Sequence, residues 1–262
     1  MAHLPMQRIG DMEDKEFMTT LAKGLAVLGA FGRKRPTMTL SEAAQVADLS
    51  RAAARRVLRT LTRLGYVEHD GRTFALSPQI LDLGFAYLST QSWIDRALPL
   101  MRELSERLGE SCSAAILQGN DIVYVARVPA RRIMSAALSV GSRLPALHTA
   151  LGRAMFGYLD EVEIWRRLRS QRIEAYTPQT ITDLQALFDR IRADHAQRFS
   201  IVDEELERGL RALAVPVLDR SGQALGAINL STHSTRTTRN EMREHFLPEL
   251  NRIAEQVSSM TV

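Results

Sequence analysis

The chain has 262 residues, of which 45% are hydrophobic and 24% are charged. These proportions are typical of a globular protein and exclude a chain that is disordered throughout. No apolar stretch approaches the roughly 20 residues that cross a bilayer, and the polar start lacks the core of a signal peptide. The single cysteine, Cys112, excludes an internal disulfide and a thiolate metal cage. We therefore expect a cytoplasmic protein that does not enter the membrane.

The basic residues are concentrated in one part of the chain. The whole sequence has 34 basic and 30 acidic residues, a net charge of +4. Residues 20–90 hold ten basic and five acidic residues, a surplus of five that exceeds the surplus of the whole chain. One interpretation is a polyanion-binding module joined to a neutral one. The alternative is a basic surface that only keeps the protein soluble.

The first elements are predicted from hydrophobic spacing. The polar residues 1–16 predict a flexible arm. From Leu21 to Phe31, apolar residues recur at steps of three and four, which predicts an amphipathic helix that ends near Gly32. Ser41 is a candidate N-cap for the short alanine-rich helix that follows.

A third helix and a hairpin follow. Ser50 is the candidate cap of a helix over Arg51–Leu64, and Gly65 ends it. The segment 66–76 contains two strand patterns around an Asp-Gly turn, a strong signal for a hairpin. Helix, short helix, tight turn, helix and hairpin is the order of a winged helix-turn-helix, which we predict for residues 17–77.

The third predicted helix carries a row of arginines. Arg51, Arg55, Arg59 and Arg63 recur at every fourth residue, and no acidic residue lies between positions 50 and 64. Like charges at this spacing destabilise an isolated helix by roughly 0.2–0.5 kcal/mol per pair. We interpret the row as a surface that DNA phosphates and guanines complete. The alternative is an arginine-rich helix that is simply solvated.

Each position of this helix has a predicted role. Recognition helices read bases with their N-terminal half, and small residues such as Ala52 let the helix enter the major groove. Arg59 and Arg63 are predicted to hold phosphates. Arg72, on the hairpin, either reaches the DNA backbone or minor groove or is an ordinary surface residue. The candidate DNA-binding residues are Ser50, Arg51, Ala52, Arg55, Arg56, Arg59, Arg63 and Arg72.

A linker is predicted over residues 78–109. Apolar residues continue at helical spacing to Leu108, and Gly109 closes the run. Pro99 either kinks this helix or opens its second segment. Such helices connect domains and can pair with a partner chain.

Residues 110–262 alternate between strand and helix patterns. The predicted strands are 113–118, 121–127, 133–140, 213–218 and 224–230. The predicted helices are 149–159, 161–168, 183–198 (capped by Thr180 or Thr182) and 238–260. Hairpins with helices on one side indicate an α+β domain with an antiparallel sheet, typical of ligand sensing.

The sequence contains no recognisable catalytic motif. We expect no catalytic residue, metal site or cofactor, since the motifs for phosphate loops, dinucleotides, esterases and zinc proteases are absent. Cys112 lies in a predicted strand, which favours a buried small residue over a nucleophile. The acidic run 203–205, with Glu207, is either a cation site together with His148 or a hydrogen-bonded loop.

Eight segments resemble the IclR family of bacterial transcription regulators in their order and spacing. They are Leu-Ser-Glu-Ala-Ala (40–44), Leu-Ser-Arg-Ala-Ala-Ala-Arg-Arg-Val-Leu (49–58), Leu-Gly-Tyr-Val (64–67), Gly-Ser-Arg-Leu-Pro-Ala (141–146), Thr-Ala-Leu-Gly-Arg (149–153), Val-Asp-Glu-Glu-Leu-Glu-Arg-Gly-Leu-Arg (202–211), Ala-Val-Pro-Val (214–217) and Asn-Leu-Ser-Thr-His (229–233). Three of them, within 143–146, 205–211 and 229–233, are most similar to the branch that controls protocatechuate, 4-hydroxybenzoate and β-ketoadipate catabolism.

The resemblance implies a fold, partners and a binding site. It implies a winged-helix domain that binds double-stranded operator DNA, and a GAF-like effector domain. It also implies homodimers through the DNA-binding domains, often tetramers, and a small carboxylate effector, here an aromatic or β-ketoadipate-like acid. The implied effector-binding residues are His148, Thr149, Ala150, Leu151, Gly152, Asp203, Ala212, Leu213, Asn229 and Ser231.

Elementary chemistry supports part of this implied pocket. A helix that begins near Thr149 offers backbone N–H groups to a carboxylate, and Asn229 and Ser231 add neutral donors. Asp203 repels an anion, so it either accepts a ligand hydroxyl or orders its loop. Arg143 either offsets ligand charge or is a structural loop residue. The rival hypothesis is an enzyme or metal-dependent sensor that carries a basic helical domain.

Overall fold

The computed structural model describes residues 16–130 and 138–259, which divide after residue 90 into two compact units. Apart from Glu16, the predicted arm lies outside the described residues, as does most of the predicted strand over 133–140. Within the described ranges, no helix is both long enough and apolar enough to span a membrane.

The first unit is a winged helix-turn-helix, as predicted. Its elements are α1 (Thr19–Ala30), β1 (Thr37–Met38), α2 (Leu40–Val46), α3 (Arg51–Arg63), β2 (Val67–His69), β3 (Phe74–Leu76) and α4 (Ile80–Leu88). The strands form an antiparallel sheet in the order β1-β3-β2. The sheet and the first three helices share a core that contains Val27, Leu58 and Phe74. This core leaves one side of α3 to solvent.

The caps of α2 and α3 explain where these helices begin. The Ser50 hydroxyl accepts a hydrogen bond from the Ala53 amide at 3.2 Å, as predicted. The predicted cap at Ser41 is wrong, because Thr39 caps α2. The Thr39 hydroxyl accepts from the Glu42 amide at 3.3 Å, and the Glu42 carboxylate accepts from the Thr39 amide at 2.7 Å. This reciprocal pair satisfies two backbone donors that the helix start leaves open.

The wing is a short hairpin with a tight loop. The Asp70 carboxylate accepts hydrogen bonds from the backbone amides of Arg72 at 2.8 Å and Thr73 at 2.6 Å. These bonds lower the pKa of Asp70 to about 2. Gly71 has a φ of +95°, a conformation that glycine adopts without strain. The loop therefore fixes the position of Arg72 beside β3.

The second unit is built on a six-stranded antiparallel sheet in the order β6-β5-β4-β9-β8-β7. Its elements are α5 (Ser92–Leu108), β4 (Ser111–Gln118), β5 (Asp121–Val128), β6 (Arg143–Pro145), a 3-10 turn (Ala146–His148), α6 (Ala150–Phe156), α7 (Glu161–Arg169), α8 (Leu184–Gln197), β7 (Ser200–Asp203), β8 (Leu210–Leu218), β9 (Ala224–His233), α9 (Arg239–Glu241), a π-helical turn (Met242–Phe246) and α10 (Leu247–Ser259). The predicted α+β class with an antiparallel sheet is confirmed.

Helices cover both faces of this sheet, so the expectation of helices on one side is wrong. Ala212 and Ala227 pack in a core cluster with α6. Neighbouring strand residues point to opposite faces. Accordingly, Gly226 lies against the Trp93 ring of α5, and α10 packs on the same face as α5. The two sheet faces therefore bury two separate sets of apolar side chains.

The predicted linker run over 78–109 consists of two helices. Helix α4 belongs to the first compact unit, and α5 belongs to the second. Pro99 lies inside α5 and does not open it, since α5 begins at Ser92. Gly109 closes α5 with a φ of +70°, as predicted.

Two local predictions in the second unit need correction. The cap of α8 is Asp183, whose carboxylate accepts from the Ala186 amide at 2.8 Å, and neither Thr180 nor Thr182 caps it. The Thr180 hydroxyl instead donates to the Glu205 carbonyl at 2.6 Å. Strands β6 and β7 were not expected, because their patterns are short and only their neighbours in the sheet define them.

Candidate DNA-binding face and effector cavity

The arginine row lies on the solvent side of α3. Ala54, Val57, Leu58 and Leu61 are buried in the core. The exposed candidate residues on this helix are Arg51, Ala52, Arg55, Arg56, Arg59 and Arg63. None of their guanidinium groups forms an ion pair with a carboxylate of the described chain. The face therefore carries uncompensated positive charge.

The wing adds a further arginine to this face. Arg72, together with Arg55, Arg59 and Arg63, lines a concave surface of about 700 Å³ between α3 and the hairpin. His69 lies at the same surface. Arg51, Ala52 and Arg56 are on α3 outside this concavity. Four guanidinium groups around one groove attract a phosphate backbone, because charge in a cleft concentrates the local field.

A second concave site, the effector cavity, lies in the second unit between α6 and the sheet. Its volume is about 130 Å³. Apolar cavities of about 150 Å³ take up a benzene ring. The predicted effector residues that line it are His148, Thr149, Ala150, Leu151, Ala212, Asn229 and Ser231. The fold thus brings together residues that are more than 80 positions apart in the chain.

Gly152 and Leu213, both predicted effector residues, do not line the cavity. The Gly152 amide donates to the Thr149 hydroxyl at 3.0 Å, so this amide already caps α6. A Cβ at position 152 would collide with the Ala146 backbone, so the space beside Gly152 is already filled by the protein. Leu213 is the neighbour of Ala212 on β8 and therefore points to the opposite face of the sheet.

Asp203 and Arg143 also lie outside the cavity. The Asp203 carboxylate accepts from the Arg211 guanidinium at 2.7 and 3.0 Å, and its other nearby cation is Arg239 at 3.4 Å. Asp203 therefore orders its loop. Arg143 donates to the Gln118 side chain and lies 3.5 Å from the Asp121 carboxylate, which ties β6 to β5. Of its two proposed roles, the structural one fits.

Several cavity residues were not predicted. They are Ser111, Tyr124, Arg127, Leu138, Leu144, Val202, Leu206, Glu207, Arg208, Gly209, Leu210 and His233. Tyr124 and Arg127 come from β5, which was predicted as a strand but whose cavity face depends on its register with β4. Residues 206–210 belong to the segment 202–211, which resembles the IclR family. This resemblance was the feature of the sequence that could have identified them as cavity residues.

The fully buried polar side chains in the cavity wall are neutral. Burial, together with the charge of Arg153, lowers the pKa of His148 to about 4, and burial raises the pKa of Tyr124 to about 12. The Asn229 amide nitrogen donates to the Ser231 hydroxyl at 2.9 Å. His148 Nδ1 and Asn229 Oδ1 have no hydrogen-bond partner among the described residues. Buried polar atoms without partners are rare, and a bound ligand would satisfy them.

The acidic run next to the cavity is a hydrogen-bonded loop. Both oxygens of the Glu205 carboxylate accept from the Arg153 guanidinium, one of them at 2.8 Å. The Glu204 carboxylate accepts from the Gly209 amide at 3.0 Å. No cluster of three or more His, Cys, Asp or Glu able to hold a metal occurs in the described ranges. Of the two interpretations of the run, the loop therefore fits its contacts.

An exposed arginine face on a winged helix, and a separate domain that encloses a ring-sized cavity, together define a ligand-responsive DNA-binding regulator. The chain belongs to the IclR family. Residues 20–71 match the IclR helix-turn-helix domain, and residues 85–259 match the C-terminal domain of the bacterial transcriptional regulator IclR. The predicted family is confirmed.

Three known proteins are similar to most of the chain or to one part of it. The Pca regulon regulatory protein of Pseudomonas putida is 43% identical over 238 residues, which cover 90% of this chain and 82% of that protein. A crystal structure described as that of a transcriptional regulator from Rhodococcus sp. RHA1 is 40% identical, with a TM-score of 0.83, and covers 93% of this chain and 98% of that one. The inducer-binding domain of PobR from Acinetobacter, a double mutant in complex with 3-hydroxybenzoic acid, is 27% identical, with a TM-score of 0.58, and covers 62% of this chain and 95% of that one.

Proposed function

We propose that the protein regulates transcription of aromatic acid catabolism genes and that a small aromatic or β-ketoadipate-like carboxylate controls it. The observation that carries this proposal is the ring-sized cavity, in whose wall His148 and Asn229 keep unpaired polar atoms. The names of the Pca regulon relative and of the PobR complex with a hydroxybenzoic acid support the choice of ligand and pathway.

Operator DNA is bound through α3 and the wing. The N-terminal half of α3 enters the major groove, where recognition helices read base edges. Arg59 and Arg63 bind phosphates, and Arg72 of the wing binds the backbone or minor groove. Support comes from the exposure of these side chains and from their lack of carboxylate partners in the described chain. The proposed base-reading residues are Arg51, Ala52, Arg55 and Arg56.

The DNA-binding unit forms a homodimer through α4. This helix is mostly apolar and has no buried residue, and Phe85 is 71% exposed and Leu81 69% exposed. Contiguous exposed apolar surface on a soluble domain marks an interaction site. Two units paired in this way would meet half-sites about 34 Å apart, or a multiple of that distance. Sedimentation of the wild type and of Phe85→Glu separates monomer, dimer and tetramer.

The two helices α4 and α5 form the linker that transmits the signal. Acid binding changes the packing of the effector domain, over residues 110–262, and α4 and α5 then change the spacing of the paired DNA-binding domains. The acid affects DNA binding only if it binds one dimer geometry more tightly than the other. The protein carries out this function in the cytoplasm, where its operator DNA lies.

The effector domain binds its ligand without converting it. Cys112 is fully buried, and burial raises the pKa of its thiol, which makes it a poor nucleophile. His148 is neutral, and Tyr176, the aromatic ring that it contacts among the described residues, does not line the cavity. Membership in a family of transcriptional regulators supports the same conclusion.

One experiment tests the proposed function on the intact protein. Fluorescence anisotropy measures binding to duplex DNA selected from a random pool, with and without 4-hydroxybenzoate or protocatechuate. We expect the acid to change DNA affinity for the wild type and to change it less for Ser231→Ala. The matched control is Ser221→Ala, an exposed serine in the β8–β9 turn. Absence of any acid effect on the wild type would contradict control by these acids.

A further inference from the structure

We propose that Arg127 binds the effector carboxylate and that Asn229 and His148 bind a hydroxyl at the other end of the ligand, so that the cavity selects hydroxylated monocarboxylates over dicarboxylates. This inference rests on the proposed function, since it requires that a small acid enters the cavity. The family resemblance implied that His148 and Asn229 bind the effector, but it assigned neither of them to a ligand hydroxyl, and it did not include Arg127.

Arg127 differs from the other arginines that lie at this sheet. Arg143, Arg153 and Arg211 are buried or half-buried, and each pairs with a carboxylate. Arg127 is half-buried at the cavity, and no carboxylate of the described chain pairs with it. Its Nη1 donates to the Ser113 hydroxyl at 3.2 Å, a neutral partner. A half-buried guanidinium without a counter-ion favours an anion from outside the chain, because its charge is only partly hydrated.

The strand register places Arg127 and Asn229 in one row across the sheet. Arg127 on β5 is paired with Ser113 on β4, and Ser113 is paired with Asn229 on β9. Neighbouring strands lie about 4.8 Å apart, so the backbones of Arg127 and Asn229 are separated by roughly 10 Å. Both side chains line the same cavity of about 130 Å³. A single-ring acid in this row has one end toward the guanidinium and the other toward the amide.

The far end of the row suits a hydroxyl and not a second carboxylate. Asn229 Oδ1 is an unpaired acceptor, and Asn229 is only 4% exposed. A ligand hydroxyl donates to this oxygen, whereas a carboxylate oxygen has no proton to donate. His148, which is 2% exposed, also lines the cavity and keeps Nδ1 unpaired. A second carboxylate at this end would be buried beside an acceptor, and Arg153, the nearby cation among the described residues, is already paired with Glu205, so its burial would be costly.

Among the described residues, three further polar side chains of the cavity wall lie at exposed positions. Glu207, Arg208 and His233 line the cavity but are exposed. Solvent and salt screen charges at such positions, so they discriminate weakly between ligands. Among the described residues, selection of the ligand by charge therefore depends on Arg127.

The test is isothermal titration calorimetry of the full-length protein with 4-hydroxybenzoate, benzoate and adipate. For the wild type we expect 4-hydroxybenzoate to bind about tenfold or more tightly than benzoate, since the hydroxyl satisfies a buried acceptor. We expect adipate to bind more weakly than either. Tighter binding of adipate than of 4-hydroxybenzoate would overturn the proposal. Absence of binding by all three acids would contradict the proposed function itself.

Substitutions at Arg127 test its role at the carboxylate end of the ligand. Arg127→Gln is expected to weaken both benzoates by at least about tenfold, because the variant cannot form the charged hydrogen bond. Its matched control is Arg143→Gln, which is expected to stay within about twofold of the wild type, since Arg143 pairs outside the cavity. Arg127→Lys keeps the charge and is expected to retain part of the affinity. Equal losses of affinity in Arg127→Gln and Arg143→Gln would overturn the proposal that Arg127 binds the carboxylate.

Recognition of the hydroxyl is tested by the ratio of two affinities, one for 4-hydroxybenzoate and one for benzoate. This ratio does not depend on the fraction of the protein that is folded. Asn229→Ala is expected to bring the affinity ratio of 4-hydroxybenzoate to benzoate close to one, while Arg127→Gln leaves this ratio near that of the wild type. A preserved ratio in Asn229→Ala, and in His148→Ala as the second variant, would overturn hydroxyl recognition at this end. Thermal unfolding of the full-length protein, in which the second unit must still unfold cooperatively, checks that each variant is folded.

Discussion

On α3, the guanidinium groups of Arg55, Arg59 and Arg63 are exposed and have no carboxylate partner in the part of the chain that the structure describes. In the second unit, Arg153 is fully buried, donates to both oxygens of Glu205, and also donates through Nε to the Leu147 carbonyl at 2.7 Å. Arginine side chains therefore differ between the two compact units. Those of α3 are exposed and without a carboxylate partner in the described chain, whereas Arg153 is buried and paired with Glu205.

The cost of an unpaired charge depends on where it lies. An exposed row of like charges on a helix costs only about 0.2–0.5 kcal/mol per pair, so the first unit can leave the arginines of α3 open for DNA. A buried charge without a partner costs several times more, so Arg153 needs Glu205. Arg127 is the intermediate case, half-buried and bonded only to a neutral hydroxyl. The degree of burial therefore separates arginines that bind from arginines that support the fold.

Removal of the buried arginine is expected to have the largest effect. Arg153→Met leaves Glu205 buried without its partner and is expected to lower the free energy of unfolding by about 3–5 kcal/mol. Urea unfolding of the effector domain measures this loss. The control is Arg166→Met, since Arg166 is 64% exposed and pairs with Glu163 at the surface, where about 1 kcal/mol or less is expected. Similar losses of unfolding free energy in the two variants would contradict the claim that a buried arginine pair contributes more to stability than an exposed one.

The DNA-binding face gives the next largest effect. Arg55→Ala is expected to weaken binding to a selected operator by about 1–3 kcal/mol, because alanine cannot reach the base edge. Fluorescence anisotropy with the selected and with random duplexes measures the change. Arg220→Ala, at an exposed turn of the second unit, removes the same charge and is expected to have no such effect. Unchanged operator affinity in Arg55→Ala would contradict the assigned role.

The buried histidine predicts a dependence of stability on pH. The pKa of His148 is lowered from 6.5 to about 4, so the unfolded chain binds a proton in this interval that the folded chain does not. The free energy of unfolding therefore falls as pH falls from about 6.5 toward 4, by roughly 1–3 kcal/mol. His148→Gln is expected to remove this component from the difference between unfolding curves at pH 7 and pH 5. An identical pH dependence in the two proteins would contradict a neutral buried His148.

The smallest predicted effect is a gain in stability. Arg59 lies four residues from both Arg55 and Arg63, so Arg59→Gln removes two repulsive pairs from α3. We expect the variant to be more stable than the wild type by about 0.2–0.5 kcal/mol for each pair and to bind DNA less well. Thermal unfolding at low salt detects this gain. A loss of stability would mean that the arginine row supports the folded helix.

Most of the first unit could be predicted from the sequence because its signals are local. The spacing of Val57, Leu58 and Leu61 identifies the buried side of α3, and the arginines follow on the other side. The error at the start of α2 is also local: Thr39 and Ser41 are both suitable caps, and the partner Glu42 lies three residues after Thr39 and one residue after Ser41.

The cavity was only partly predictable, since its walls meet through contacts between distant segments. His148, Asn229 and Ser231 were expected from the family resemblance. Arg127 was not, because its position depends on the register of β5 with β4, which shifts at a bulge between Ala114 and Ala115. A one-residue change in register moves a strand's side chains to the other face, and no sequence pattern at Arg127 indicates the register.

The salt dependence of DNA binding by the intact protein tests the central claim most directly. A random duplex suffices, since binding to phosphates does not depend on base sequence. The slope of log affinity against log salt concentration is compared for the wild type and for the double variant Arg59→Gln, Arg63→Gln. We predict a steep negative slope for the wild type and, for the double variant, a slope that is shallower by about one for each phosphate that it no longer neutralises. Equal slopes for the two proteins would show that this arginine row does not bind DNA.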